Sequence, residues 1–326
     1  MTIRPLLGAA AVLLLGLGAC SSGDSSSPPT SEATLAYGAQ VASYDLAAGS
    51  PQRFLLGLIA PEDGLIVGGE LSLDFRYLGE GQPSDDGDSD DGELAIEDVT
   101  ASFTTVAGGT PPPPGEGPRT QAEREGVGVY EVTGVIFDDP GFWSVTASGT
   151  VNGEAVAVTA AFEVAPENRI VTAGKAAPRT QNLLPGDPSA PVKAIDSRAE
   201  EDGSVPDPEL HQSTVADAIA TGRPTMVVIS TPVFCVSRFC GPITDTIEEL
   251  ATTYSDRANF VHIEVWRDFE QNVLNRGAAE WIYPDDSVDA AEPWVFLVDG
   301  NGTVIRRWDN VANADDLDQA LADSLT

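Results

Sequence analysis

The chain has 326 residues, with 51 acidic against 17 basic side chains and a formal charge of -34. Such an excess repels phosphate backbones and anionic head groups, so nucleic acid is excluded as a partner. The acids are spread along the chain and the only lysines are Lys175 and Lys193, which reads as a solubility adaptation more than a binding patch; the length suits two domains and linkers.

The N-terminus, "MTIRPLLGAAAVLLLGLGAC", carries one arginine, then an apolar run too short to span a bilayer, then small residues ending at Cys20. Residues 1–20 therefore read as a signal peptide. The junction "LGAC" resembles the bacterial lipobox, which implies lipid on Cys20 and an extracytoplasmic protein anchored to the cell membrane. Residues 21–34, rich in Ser, Gly and Pro, read as a flexible tether. An exported compartment permits disulfides, and with Cys20 lipidated the three cysteines leave one intramolecular pairing, Cys235 with Cys240.

Residues 35–165 show period-two alternation broken by turn residues. In "GELSLDFRYLG" Leu71, Leu73, Phe75 and Tyr77 alternate with Ser72, Asp74 and Arg76, and Asn152-Gly153 is a preferred hairpin turn. About seven short strands without helical periodicity predict a β-sandwich. The run "VYEVTGVIFDDPGFWSVTASG" resembles immunoglobulin-like modules of exported bacterial proteins, which implies an all-β spacer or docking domain. In the acidic loop, Asp86, Asp88, Asp90 and Glu97 fall at positions 1, 3, 5 and 12 of a calcium loop. Asp91 stands where the sharp turn wants glycine, so a solvated loop is expected and these four are weak metal candidates.

Residues 166–210 are rich in proline and charge and read as a linker. From 211 to 326 the signals change. "STVADAIATG" has helical spacing with a Ser/Thr start and a glycine stop, "RPTMVVIST" is a continuous apolar strand, and "ITDTIEELATTY" places Ile243, Ile247, Leu250 and Tyr254 on one stripe. "NFVHIEVW", a hairpin "WVFLVDGNGTVIRRW" and a final amphipathic "ADDLDQALADSL" follow.

With its cysteines between a buried strand and a long helix, with Cys240-Gly241-Pro242, and with "EPWVFLVDGNG" downstream, segment 211–326 resembles a thioredoxin-like α/β fold. That resemblance implies thiol-disulfide exchange at Cys235 and Cys240, a cis peptide at Pro293 opposite them, and extracytoplasmic protein or peptide thiols as partners. The sequence departs from the family in spacing the cysteines by four residues instead of two, with Ile243 where a second cysteine would follow. On one regular helix, residues five apart sit on diverging faces about 8 Å apart, beyond disulfide reach, so the segment must be a loop. A helix starting at Pro242 meets that need. A helix N-terminus near Cys240 and Arg238 between the thiols both favour thiolate.

Other chemistries fit less well. One peroxiredoxin class shares the cysteine spacing, but Pro232 and Val228 replace its hydroxyl residue and its proline. Copper-handling relatives pair two cysteines with a histidine; here the histidines are His211 and His262. His262 and Glu264 alternate onto one face of an interior strand, as a satisfied core pair, a metal ligand or a proton relay. Zinc is weaker still, since four ligands are not found near one another, and no cofactor motif is present. The expectation is thiol-disulfide exchange, with a non-catalytic binding module holding a structural disulfide as the alternative.

Overall fold

A computed structural model describes residues 37–60, 64–81, 92–121, 127–237, 239–283 and 291–326. The leader, Cys20, the tether, Asp86, Asp88, Asp90 and Arg238 lie outside these residues; Glu97 is exposed on a strand. Residues 35–326 form one compact unit.

The first half is nine strands: β1 (Gly38–Val41), β2 (Gln52–Ala60), β3 (Gly64–Val67), β4 (Glu70–Gly79), β5 (Glu93–Thr105), β6 (Arg119–Gln121), β7 (Gly128–Val135), β8 (Gly141–Val151) and β9 (Glu154–Val164). They form one sheet in the order β6-β3-β2-β7-β5-β4-β8-β9, with β1 paired to β2. In β4 the alternation works as read: Leu71, Leu73 and Phe75 are buried between less buried polar neighbours. Between β8 and β9, Asn152 and Gly153 both take positive φ, as the two-residue hairpin requires. The sheet face is filled by aromatic rings meeting mostly edge to face, among them Phe54 on Phe75 at 5.0 Å and Phe137 on Trp143 at 5.0 Å.

The second half adds α1 (Val215–Ala220), β10 (Thr225–Ser230), α2 (Cys240–Tyr254), β11 (Asn259–Glu264), β12 (Trp266–Asp268), β13 (Val273–Leu274), α3 (Arg276–Ile282), β14 (Trp294–Val298), β15 (Val304–Asp309) and α4 (Ala314–Ser324). The order β11-β10-β14-β15 makes a four-stranded sheet, β10 parallel to β11 and antiparallel to β14; β12 and β13 form a separate pair. All six residues of β10 are buried. Val227 and Ile229 join one apolar cluster and Met226 and Val228 another, so both sheet faces are covered, which explains the unbroken apolar run.

The expected class, an immunoglobulin-like sandwich followed by an α/β thioredoxin-like fold, is corrected. The first half is all-β, with nine strands hydrogen-bonded in one sheet that folds over itself, since rings from β2, β4 and β9 meet in a single core. The described chain has more than twice as much strand as helix, with four α-helices, two of them of six and seven residues, so the α/β thioredoxin-like fold is not evident. The resemblance rested on local segments, and a local match does not fix the element content around it.

The halves share a core. Leu55, Val106, Val129 and Val311 form one cluster, with Ala42 and Phe239 packed against it. Arg307 Nη1 reaches buried Asp45 at 2.7 Å, and Arg53 bridges Glu131 at 2.6 Å and Asp309 at 3.5 Å.

Candidate functional site

β10 ends at Ser230, and the chain turns at once: the amide of Cys235 donates to the Thr231 carbonyl at 3.0 Å. Cys235 and Cys240 are joined by a disulfide with their α-carbons 6.0 Å apart, within the range such bonds need. The bridging segment is a loop as expected, but α2 begins at Cys240, two residues earlier than Pro242 marks. Pro242 still sits in the first turn, where its missing N–H is one of the unpaired donors anyway.

The two sulfurs are placed unequally. Cys240 is fully buried, whereas Cys235 is partly exposed. Around Cys235 lies an apolar rim: Val236 is 93% exposed and Val233 54%, and Phe234 stacks on half-exposed Phe269 with centroids 4.1 Å apart. The Ser237 hydroxyl lies 3.3 Å from Cys235 Sγ. Hydrogen bonding to a thiolate favours the charged form, so this hydroxyl can hold Cys235 as the leaving or attacking sulfur. Among the first-turn residues of α2 there is no acid to offset its positive end.

The peptide bond from Glu292 to Pro293 is cis, matching the expectation for Pro293, which is itself buried. The carbonyl of Glu292 accepts from the Tyr44 hydroxyl at 3.2 Å, and that of Pro293 accepts from the Asn310 amide at 2.9 Å. Ser237 lies near the Tyr44 hydroxyl, which places the cysteine loop beside the Glu292–Pro293 edge. Burial, with Asp309 and Glu292 nearby, pushes the Tyr44 phenol far up, keeping it protonated and donating. Burial, with the charge of Glu264 adding to it, pushes the Glu292 carboxyl up to about 7.

Beneath the loop lies a second constellation that the sequence did not reveal. Asp196, Asp207, His211 and His262 are buried together, each offering one ligating atom within 4.8 Å of the others. The expectation that no four such groups come together came from their spacing in sequence; a 3-10 turn at Pro208–His211 and a loop carrying Asp196 fold two of them and His211 onto β11. Asp207 and His211, four residues apart across Pro208, were the one available signal. His262 Nε2 lies 3.0 Å from Ser230 Oγ and 3.3 Å from its carbonyl. Ser230 Oγ meets Thr244 Oγ1 at 2.7 Å, and Thr244 donates to the Cys240 carbonyl at 2.8 Å. Arg198 Nη2 holds both Asp196 and Asp207 at 2.8 Å. Burial alone would raise the Asp196 carboxyl, but His211, His262 and Arg198 outweigh it and hold it well below the usual carboxylate range. Glu264, on the same strand, does not bond His262: its carboxylate accepts from the amides of Ser197 at 2.8 Å and Trp266 at 3.2 Å, and burial pushes its pKa up.

Comparison with known proteins finds no family model, curated protein or solved structure that matches the chain. Among the described residues no helix is long and apolar enough to cross a membrane.

Proposed function

We propose that the protein carries out thiol-disulfide exchange with client proteins or peptides through Cys235 and Cys240, outside the cytoplasm and held to the cell membrane by lipid on Cys20. The observation that carries this reading is the inequality of the two sulfurs: one partly exposed within an apolar rim, the other buried at the start of a helix. A client thiolate attacks Cys235 Sγ, the bond to Cys240 breaks, and Cys240 departs as a thiolate. A second client thiolate then attacks the client sulfur of that mixed disulfide and releases Cys235, leaving the client oxidised and the pair reduced. The reverse sequence reduces a client. Val233, Val236 and Phe269 offer apolar contact to a client segment.

One observation favours the alternative of a binding module with a structural disulfide. The Glu292 carbonyl, which would receive an extended client strand, is already occupied by Tyr44. The two readings separate on the reduction potential of the pair, measured on the full chain in thiol redox buffers with alkylation and intact mass. Exchange predicts a potential between about -120 and -270 mV; a value below about -300 mV marks a structural bond and overturns it.

A further inference from the structure

We infer that Asp196, Asp207, His211 and His262 form a structural zinc site. It is independent of the cysteine chemistry and clamps the stretch 196–211 onto β11 beneath the cysteine loop.

The donor set and its spacing come first. His211 Nε2 lies 3.3 Å from Asp207 Oδ1 and 3.9 Å from Asp196 Oδ2, and His262 Nδ1 lies 3.3 Å from Asp196 Oδ2 and 3.7 Å from Asp207 Oδ2. Ligands held about 2.0–2.1 Å from a tetrahedral ion are about 3.3–3.4 Å from one another; the two shortest donor pairs stand at that spacing, 3.3 Å, and one donor from each of the four side chains lies within 4.8 Å of the others, close enough for a small inward shift to seat an ion. Two imidazole nitrogens with two carboxylate oxygens suit zinc.

The second observation is that the atoms facing one another are orphans. Asp207 Oδ1, His211 Nε2 and His262 Nδ1 are buried with no hydrogen-bond partner, in side chains with no exposed surface; His211 Nδ1, on the far side of its ring, is likewise without one. A buried polar atom left unsatisfied is costly, so three of them gathered in one cluster call for a common partner. A divalent cation supplies it.

The surroundings fit as well. His262 directs its other nitrogen to Ser230, which leaves Nδ1 for a metal, in the manner of ligating histidines whose second nitrogen is fixed by an outer partner. Arg198 Nη2 donates to Asp196 Oδ2 and Asp207 Oδ2, the oxygens that also face His262, and its Nη1 donates to Asp245 at 2.8 Å. Three carboxylates, one guanidinium, one divalent ion and two neutral imidazoles then sum to no net charge. All four ligand side chains are fully buried, so no position is open to substrate and the role is structural.

The competing arrangement is a metal-free network in which protonated imidazoles pair with Asp196 and Asp207. The two are separated by stripping the full chain with chelator, adding zinc or cobalt, removing unbound metal by gel filtration, and measuring metal content, melting temperature and the cobalt spectrum. The site predicts one retained equivalent of zinc, a melting temperature raised by zinc, and the intense visible bands of tetrahedral cobalt. His211→Ala should lose the retained metal. Ser230→Ala, which removes no ligand, should lower zinc affinity about 10–100-fold; this variant keeps the test decisive if His211→Ala does not fold. A wild-type chain that retains no more metal than His211→Ala, or Ser230→Ala that binds zinc as tightly as wild type, or cobalt bands of the weak octahedral kind, overturns the assignment.

Discussion

Replacing Glu292 by glutamine should stabilise the protein in alkaline solution and leave it unchanged in acid. The carboxyl is raised from an ordinary 4.5 to about 7, first by burial and then by Glu264; Tyr44 and Tyr283 also face it. A raised acid holds its proton more tightly in the folded state. Below 4.5 both states are neutral and nothing is lost; between 4.5 and about 7 the unfolded chain ionises while the fold does not, so stability falls as pH rises. At about 1.4 kcal/mol per pH unit the full penalty is about 3 kcal/mol, or about 2 kcal/mol allowing for partial exposure. Urea unfolding of wild type and Glu292→Gln should therefore differ by about 2 kcal/mol at about pH 8.5 and by almost nothing at about pH 4. A difference that is absent at the higher pH, or equal at both, refutes the assignment of a strained carboxylate at the Pro293 edge.

Two further changes test the frame around the site. Asp45→Ala removes the carboxylate that pairs with the Arg307 guanidinium and accepts from the Arg169 and Ile170 amides, and leaves a mostly buried cation with only carbonyl and ring partners; we expect a loss of about 3–5 kcal/mol in urea unfolding, and a loss under about 1 kcal/mol would show that the halves do not depend on this pair. Gly69 has φ of +64 and an added methyl carbon would lie 2.7 Å from the Pro118 nitrogen, so Gly69→Ala should cost at least about 2 kcal/mol, read as a lower melting temperature, whereas an unchanged value would contradict the close approach.

Much of the strand content was legible because burial on one face writes a period of two. Leu71, Leu73 and Phe75 gave β4, and Asn152-Gly153 gave the β8–β9 turn. The short β1, β3 and β6, of three or four residues, are set by pairing with longer neighbours and carry too few residues to show a period. Cys235, Cys240 and Pro293 were legible as a site from residue type and local order, while the depth of each sulfur depended on packing from elsewhere. The buried cluster was hidden for another reason. Asp196 and Asp207 sit in a polar, proline-rich stretch that reads as solvent-exposed, and only a folded chain shows that the stretch is pinned against β11.

The packing of Phe239 has a mechanical meaning. This ring, the residue before Cys240, lies against a cluster drawn from β2, β7 and the loops after β5 and β15. The nine-stranded sheet thereby presses on the backbone one residue from the buried sulfur. The position of the buried cysteine is thus fixed partly by a sheet that holds neither cysteine.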